Sequence, residues 1–440
     1  MARSQTGAAR QNVEPVTMAA NADKAQVPNS ACFDIKAFDV SNPVVLLGGR
    51  ENCLAVTRNF GRLGIKVYVS GRKGCHALYS RHCHRAFPVE RGVSAEQAWY
   101  QLLIASPPPE FQGAIVFAMC DESLEFLAAH HGELSQRYKL PVSIPDLCMA
   151  MLDKLETLSR ARAVGVPTPN FWVVDTPEEL AAIRDEIQTP VMVKPLNSRA
   201  FVDEFGCKLF IVDGGFEEVV EKVELCHARG IKVMVVELIP GPDSLLSSFN
   251  TCRNASGEML YEYTKSVIRR WPVNRGGATF HRSVWLPETA AMGRKLFDGI
   301  GWQGIGNVEF KRDIRDGKLK IIEVNGRFTA AQRLITEAGA PIDLIVYCHL
   351  TGQPLPHFDS YSQTKLFWYP LRDFFAFVQM RRAGQITFAE WLRSLDVRSL
   401  LLSVASWRDP LPSIVLAWSS LRIFASAPAK YLHKVIATKR

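Results

Sequence analysis

Residues 307–327 read NVEFKRDIRDGKLKIIEVNGR, and this stretch decides the fold class. Two segments that alternate apolar with polar residues, 306–311 and 319–324, flank Asp316-Gly317, a dipeptide typical of a tight hairpin turn. The spacing therefore predicts two neighbouring antiparallel strands joined at that turn. Polar residues alternate with apolar ones near both outer ends of the stretch, which indicates that one face of the hairpin carries chemistry.

The polar positions of this hairpin are of a kind that binds cations. Asn307 and Glu309 share one strand face, and Glu323, Asn325 and Arg327 share a face of the other strand. If the two faces coincide, two carboxylates and an amide converge, and such oxygen ligands suit Mg²⁺ together with nucleotide phosphates. A solvated face of an antiparallel hairpin is the alternative. The apolar flanking positions favour the metal site.

Two upstream segments supply candidate nucleotide contacts. Lys194 ends the apolar run VMVK at 191–194 and precedes a proline, so it is well placed to hold a phosphate as a point charge. Lys154, near a predicted helix start, is a second candidate cation. The segment 235–243, VVELIPGPD, predicts a strand that turns at Pro-Gly-Pro, where exposed backbone groups of a hinge could read an adenine edge.

The first structured part of the chain has the pattern of a parallel α/β layer. An apolar strand at 43–47 is followed by Gly48-Gly49, a helix over 51–63 and a second strand at 65–69; a further strand is predicted at 113–118. The GxGxxG fingerprint is absent, which favours a structural layer over a bound dinucleotide.

The order of these motifs resembles the ATP-grasp superfamily, most closely its carboxylate–amine ligase branch, with biotin carboxylase and the carbamoyl-phosphate synthase large chain as more distant relatives. The resemblance spans about residues 43–356. The matching elements are Asp153-Lys154, the Gly165–Pro169 break, Val193-Lys194-Pro195, Glu237–Gly241, Asn307–Phe310 and Glu323–Arg327.

The resemblance implies a mixed α/β and α+β architecture. We expect a flexible leader at 1–41, a Rossmann-like pre-ATP-grasp domain at 42–150, an ATP-grasp small lobe at 151–235, a large lobe at 236–356, and a basic, aromatic helical extension at 357–440.

It also implies roles for individual residues, with ATP and one or two Mg²⁺ ions as cofactors and Mn²⁺ as an alternative metal. Lys265 would contact the γ-phosphate, and Arg327 would steady an acyl phosphate. Glu309, Glu323 and Asn325 would hold the metal. The predicted nucleotide contacts are Lys154, Lys194 and Ser198 for the phosphates, Glu237, Leu238 and Ile239 for the adenine, and Asp243 for the ribose.

Two departures from the family pattern bear on function. The phosphate-covering segment 196–206 has few glycines, so Ser198 and Arg199 are candidates for its role. Asn307 stands where D-alanine–D-alanine ligases carry an arginine, which disfavours a ligase of that kind. An arginine-rich loop at 269–277 is a candidate for binding an acidic substrate, because arginine binds carboxylates bidentately; an exposed basic loop is the alternative.

The predicted function is an ATP-dependent ligase that activates a small carboxylate for attack by an amine, in a chain that forms a homodimer. A bicarbonate- or ammonia-activating enzyme and a non-catalytic nucleotide-binding scaffold are the alternatives. The retained acids and Arg327 favour catalysis.

Composition favours a cytoplasmic globular protein: 440 residues, 47% hydrophobic and 22% charged. Residues 360–440 contain twelve Lys and Arg against four Asp and Glu, which accounts for the net charge of +8. No nucleic-acid motif accompanies that charge. The aromatic, basic segment predicts packing on the body of the protein, with peripheral contact to an anionic membrane as the sharper alternative.

The ten cysteines include no CxxC pair, which favours small buried hydrophobes over disulfides or zinc ligands. One local cluster, formed by Cys75, His76, His82, Cys83 and His84, has the residue types of a zinc site without its familiar spacing. We interpret it as incidental loop residues and keep zinc as the alternative.

Overall fold

The computed structural model describes residues 38–426 except 143, 197, 208, 357 and 359. At 198–200, 203 and 422–426 it describes the backbone but not the side chains. The described residues contain three β-sheets: a parallel sheet of four strands, an antiparallel sheet of four strands and a sheet of seven strands. They form one compact unit. One buried apolar cluster includes Leu47 of the first sheet, Val236 of the second and Phe310 of the third.

The parallel sheet has the strand order β3-β2-β1-β4 and confirms the α/β layer expected from the N-terminal pattern. Gly48 and Gly49 follow β1 with φ of 72° and 77°. A Cβ atom on Gly48 would lie 2.5 Å from Sγ of Cys120, so only glycine allows this close approach. The elements are β1 (Val44–Leu47), α1 (Glu51–Arg62), β2 (Val67–Gly71), β3 (Arg85–Pro88), α2 (Ala95–Tyr100), β4 (Ile115–Ala118), α3 (Asp121–Ala129) and α4 (His131–Leu134).

The second sheet is antiparallel and has the order β5-β8-β6-β7. Its elements are α5 (Pro145–Leu152), α6 (Lys154–Ala163), β5 (Phe171–Val174), α7 (Pro177–Ala182), β6 (Val191–Pro195), α8 (Ser198–Phe205), β7 (Phe210–Val212), α9 (Phe216–His227) and β8 (Val233–Glu237). The boundary expected between 235 and 236 falls inside β8, because that strand pairs along its length with β5 and β6. The expected loop at 196–206 contains helix α8.

The seven-stranded sheet has the order β13-β12-β9-β10-β11-β14-β15. It confirms the predicted hairpin, since β12 and β13 pair antiparallel around Gly317. Its elements begin with β9 (Leu246–Arg253), β10 (Met259–Trp271), β11 (Gly277–Ser283), α10 (Pro287–Gly299), β12 (Gly304–Arg312), β13 (Leu319–Asn325), α11 (Gln332–Glu337) and α12 (Ile342–Thr351).

The C-terminal segment does not form the purely helical extension that we expected. Its elements are β14 (Leu366–Trp368), α13 (Pro370–Arg382), α14 (Phe388–Ser394), β15 (Leu400–Leu402) and α15 (Leu411–Ser426). Strand β14 pairs antiparallel with β11, and β15 pairs parallel with β14. The apolar triplet Leu366-Phe367-Trp368 thereby extends the sheet, with Phe367 fully buried. The strand pattern of these three residues is too short to be distinguished in the sequence from the helical patterns beside it.

Two buried ion pairs join this segment to the rest of the protein. Arg269 on β10 donates to Asp373 on α13 through Nε and Nη2, both at 2.9 Å. Arg58 on α1 donates through Nε to Asp409 at 2.8 Å. Asp409 also accepts from the hydroxyl of Ser80 at 2.7 Å. All four charged side chains are at least 97% buried, so the segment is an integral part of the fold.

In the part of the chain that the structure describes, none of the helices has both the length and the apolar character needed to cross a bilayer.

Candidate active site

A row of polar residues crosses four strands of the seven-stranded sheet. Glu309 on β12 lies directly opposite Glu323 on β13 and, on its other side, opposite Ser248 on β9. Ser248 in turn lies opposite Lys265 on β10. The two acid-bearing strand faces therefore coincide, as the alternation of residues predicted. The register brings two carboxylates and a lysine into one line across the sheet.

A second row, of amides, runs beside the first. Asn325 donates to Asn307 at 3.2 Å, Asn307 donates to Asn250 at 3.0 Å, and Asn250 donates to the backbone oxygen of Tyr263 at 3.5 Å. Asn325 also donates to Glu323 at 3.4 Å. Each of these bonds uses a side-chain Nδ2, which leaves the Asn325 Oδ1 as the atom of that amide suited to binding a metal. Asn307 is buried and serves as the central link.

Burial and charge shape the ionisation of the first row. Burial raises the pKa of Glu309, and neighbouring Glu323 raises it further, whereas Lys265, Arg270 and Arg327 lower it. Burial lowers the pKa of Lys265, and the two carboxylates oppose that shift. Lys265 is 2% exposed. Two carboxylates this close repel each other and favour a cation, whether lysine or metal, between them.

The second sheet contributes its own cations to the same place. Burial lowers the pKa of Lys194 on β6 to about 8; Lys154 and Arg270 lower it further, and Glu323 raises it. Lys154 is the first residue of α6, which is capped by Asp153 through bonds to the N–H groups of residues 155 and 156. Lys194 therefore lies near both Lys154 and Glu323, and the phosphate site predicted for the two lysines stays a prediction.

The hinge expected at 237–239 is tied into the protein by several bonds. The N–H of Glu237 donates to the oxygen of Asn170 at 2.8 Å, and the N–H of Leu238 donates to the oxygen of Pro190 at 3.3 Å. Lys311 donates to the oxygen of Ile239 at 2.9 Å. An adenine contact at this hinge stays a prediction, and it would fall to other backbone groups of the segment.

The carboxylate of Glu237 is also engaged. It pairs with Arg315 and lies 3.6 Å from Nζ of Lys320, and it accepts from the N–H of Asn170 at 3.0 Å. Glu237 is buried. Its side chain thus connects β8 to the β12–β13 hairpin, which carries Lys320.

Asp243, the predicted ribose contact, lies at the end of this hinge. Its carboxylate accepts from Nε of Arg270 at 2.7 Å and from the N–H of Asn274 at 2.9 Å. Lys311 lies close by: burial lowers its pKa to about 8, and Asp243 opposes that shift. The predicted ribose acid is therefore held in place by an arginine that also lies near Lys194 and Glu309.

The prediction that the segment 269–277 is a loop that binds an acidic substrate is wrong for Arg269. Strand β10 continues to Trp271, and its pairing with β11 is irregular between Val267 and Arg270, so simple alternation does not set the directions of Arg269 and Arg270. Arg269 is buried against Asp373, whereas Arg270 faces Asp243. Arg270 therefore belongs to the candidate site, and Arg269 is a structural residue.

Arg327 lies where the seven-stranded sheet meets the parallel sheet. Its Nε donates to Asp121 at the start of α3 at 2.8 Å, and its Nη2 lies 2.7 Å from the same carboxylate oxygen. Carboxyl ends of parallel strands are a common place for ligand binding. The pair places the predicted acyl-phosphate arginine next to the carboxyl end of β4.

Three residues of the site were missed in the sequence: Ser248, Lys311 and Asp121. Lys311 follows Glu309 at the two-residue spacing of a strand, so alternation in NVEFK contains the signal. Ser248 and Asp121 could not have been found, because their positions depend on the pairing of distant strands. The side chain of Ser198 lies outside the described residues.

The described residues contain no group of three or more His, Cys, Asp or Glu side chains that could hold a metal ion. The zinc alternative for the Cys75–His84 cluster therefore has no support; burial lowers the pKa of both His76 and His82. A metal at the acid row would depend on two carboxylates, an amide and ligands from a nucleotide.

No protein-family model matches the sequence. Three solved structures resemble the fold. N5-carboxyaminoimidazole synthetase from Staphylococcus aureus, complexed with ADP, has a TM-score of 0.56 at 16% identity, over 75% of this chain and 82% of that chain. The biotin carboxylase domain dimer of Hydrogenobacter thermophilus 2-oxoglutarate carboxylase, in complex with MgADP and bicarbonate, has a TM-score of 0.55 at 19% identity, over 74% and 72%. L-amino acid ligase from Bacillus licheniformis has a TM-score of 0.51 at 19% identity, over 71% and 75%.

All three similar proteins have the ATP-grasp fold. The present chain shares that fold, which bears out the resemblance seen in the order of its motifs.

Proposed function

We propose that this protein is an ATP-dependent ligase that joins a carboxylate to an amine. A carboxylate oxygen attacks the γ-phosphorus of ATP, which forms an acyl phosphate and releases ADP. The amine then attacks the acyl carbon and expels phosphate, leaving an amide. The observation that carries the proposal is the direct register of Glu309 with Glu323, in line with Lys265 and beside Lys194.

The cations of the site suit a nucleotide triphosphate. Phosphoryl transfer is catalysed mainly by positioning and by stabilising charge on the transferred group. Lys265 comes from the seven-stranded sheet, and Lys154 and Lys194 come from elements of the other lobe. A triphosphate bound between them would bring the two lobes together by charge attraction. Water would then be kept from the reacting atoms.

The acid row fits Mg²⁺. Glu309 and Glu323 provide carboxylate oxygens. Asn325 provides an amide oxygen, and its side chain is held in place by the hydrogen bonds from its Nδ2 to Asn307 and Glu323. A bound Mg²⁺ would neutralise phosphate charge and orient the γ-phosphoryl group. Few protein ligands together with nucleotide oxygens are the usual arrangement for Mg²⁺, and Mn²⁺ is the alternative metal.

Arg327 is proposed to bind the carboxylate and its acyl phosphate, because a guanidinium matches two oxygens of either group. Asp121 orients that guanidinium by accepting from Nε and by its charge beside Nη2. The carboxylate substrate would then lie between Arg327 and the γ-phosphate contact Lys265.

Bicarbonate is a second candidate for the activated carboxyl group. The similar carboxylase domain was solved with MgADP and bicarbonate, and it has the same fold. Bicarbonate would be activated as carboxyphosphate by the same phosphoryl transfer. That structure is a domain dimer, which also supports the proposal that this chain forms a homodimer.

The test is a matrix of carboxylates and amines, with a bicarbonate arm, scored by ADP release and by product mass. Carboxylates labelled with ¹⁸O should pass one labelled oxygen to the released phosphate, because an acyl phosphate leaves with that oxygen. Amine-dependent ADP release with label transfer supports the ligase. ADP release that needs bicarbonate alone supports the second candidate. ATP binding without turnover in every arm would overturn both and leave a nucleotide-binding scaffold.

A further inference from the structure

Exposed apolar side chains are concentrated in the C-terminal part of the described chain. Ten of the sixteen large hydrophobic residues that are exposed lie between 371 and 421. Scattered exposed hydrophobics are normal on a soluble protein, whereas a contiguous exposed patch marks a surface that contacts something apolar.

Helix α15 arranges four of them on one side. Leu411, Ile414, Trp418 and Leu421 are three or four residues apart, which places them along one stripe of a helix. All four are at least half exposed. The opposite side of the helix carries Leu416, which packs on the core that contains α1 and β2. We call the four-residue stripe the outer face of α15.

Trp407 lies in the turn that precedes α15. It lies four residues before Leu411 and is fully exposed. Tryptophan is the side chain most enriched at membrane–water interfaces, because its large ring is apolar and its N–H donates a hydrogen bond.

The exposed charge of the C-terminal segment that precedes this helix is more positive than the sequence composition suggests. Asp373 and Asp409 are buried in ion pairs with Arg269 and Arg58, so they do not offset surface charge. Between 371 and 410 the exposed acids are Glu390 and Asp396, whereas the exposed bases are Arg381, Arg382, Arg393, Arg398 and Arg408.

The excess of basic over acidic residues continues in the sequence after Asp409. No Asp or Glu occurs at 410–440, and the five basic residues of this stretch are Arg422, Lys430, Lys434, Lys439 and Arg440. A protein partner with an apolar groove would not require such a one-sided charge. A negatively charged lipid surface attracts each such base and accepts the apolar stripe at the same time.

We propose that the outer face of α15 binds the surface of an anionic lipid bilayer. The helix lies in the interface, with Trp407, Ile414 and Leu421 among the acyl chains and the basic residues at the headgroups. The described part of α15 has 16 residues, fewer than the roughly 20 needed to span a bilayer, and the proposal places it along the membrane surface. The site would keep an ATP-dependent ligase at a membrane surface.

The test is cosedimentation of the full chain with vesicles of phosphatidylcholine, alone or with about 30% phosphatidylserine, at about 0.05 M and about 1 M salt. We expect binding to the anionic vesicles at low salt and a clear loss at high salt. The double variant Ile414→Ser/Leu421→Ser should weaken binding roughly tenfold or more, because two large apolar side chains are removed.

The matched control is Ala417→Ser/Ser419→Ala, at exposed positions of the same helix beside the stripe. It should bind as the unaltered chain does. Both variants should keep the thermal melt, which excludes unfolding as the cause.

Absence of binding to anionic vesicles, equal binding to neutral ones, or no effect of the serine variant would overturn the proposal. So would a dimer in sedimentation velocity that only the serine variant dissociates, because the face would then bind a second copy. Vesicle binding needs no ATP turnover, so this test is independent of the ligase assay.

Discussion

Arg327 and Asp121 form an ion pair across the junction of two sheets, with both Nε and Nη2 of the arginine within 2.8 Å of the same carboxylate oxygen. Asp121 begins α3 directly after the β4 strand of the parallel sheet, and Arg327 follows β13. The N-terminal layer therefore does more than cover the other two sheets, because it holds a guanidinium that belongs to the candidate active site.

Replacing Arg327 by alanine should lower kcat by about 10²–10³-fold, the usual cost of losing a group that stabilises transition-state charge. ATP affinity should change little, since Arg327 is proposed to bind the acyl group. Asp121→Asn should lower kcat less, because it disturbs orientation only. Steady-state kinetics and ATP calorimetry separate the two effects. Arg184→Ala, which removes an exposed arginine paired with Glu217, is the control. Unchanged kcat in Arg327→Ala would remove that residue from the mechanism.

Replacing Glu323 by glutamine keeps the side-chain shape and removes one negative charge from the acid row. ATP turnover should be lost, because a neutral amide binds Mg²⁺ far more weakly than a carboxylate does. The thermal melt should not change, since Glu323 is exposed. Glu224→Gln, at an exposed position of α9, should keep full activity. Turnover of Glu323→Gln at the normal rate and normal Mg²⁺ concentration would contradict the assignment.

The acid row could be predicted from the sequence because it depends on local rules. Alternation along two strands and an Asp-Gly turn place Glu309 and Glu323 on one face, and the observed register agrees. Lys194 could be found for the same reason, at the end of a short apolar strand. Each of these inferences needed only neighbouring residues.

The parts that could not be predicted depend on contacts between distant segments. Ser248 enters the acid row only because β9 pairs with both β10 and β12. The strand at 366–368 is recognisable only beside β11, where it completes the sheet. Arg269 was assigned to a substrate loop because its buried partner, Asp373, lies 104 residues further along the chain.

Replacing Asp409 by alanine should destabilise the protein by about 3–5 kcal/mol, because it leaves the buried guanidinium of Arg58 without its counter-ion. Denaturant unfolding of the full chain measures this. The exposed Asp396→Ala is the control and should cost well under about 1 kcal/mol. The double variant Arg58→Met/Asp409→Leu should recover much of the loss, since it removes both charges. A small effect of Asp409→Ala on the free energy of unfolding would show that this ion pair does not stabilise the C-terminal segment.

Replacing Lys194 by alanine should weaken ATP binding at least roughly tenfold, because a buried contact between a charge and a phosphate is commonly worth about 1.5–3 kcal/mol. Calorimetry with ATP and Mg²⁺ measures the change. Lys222→Ala, which alters a lysine paired with Glu221 on α9, should bind ATP normally. Equal affinities for the Lys194 variant and the unaltered chain would exclude Lys194 as a phosphate contact.

The pH dependence of ATP affinity gives a sharper test of the same lysine. The pKa of Lys194 is lowered to about 8 by burial and by Lys154, so the ligand-free side chain loses its proton as pH rises through 8. Phosphate binds the protonated form, so binding above that pH must take up a proton. Affinity should therefore be nearly constant below pH 7.5 and fall by up to tenfold per pH unit above about 8.

Lys194→Arg keeps its charge throughout this range and should flatten the fall. A residual slope is expected from Lys311, whose pKa is also lowered to about 8 and which binds the oxygen of Ile239 in the hinge. Titrations from pH 7 to pH 9.5 in buffers with different ionisation enthalpies count the protons taken up. On binding ATP at a pH above 8, the unaltered chain should take up more protons than Lys194→Arg does, and the difference should match the titration of one lysine side chain. Identical slopes and identical proton counts would show that Lys194 does not meet the phosphates.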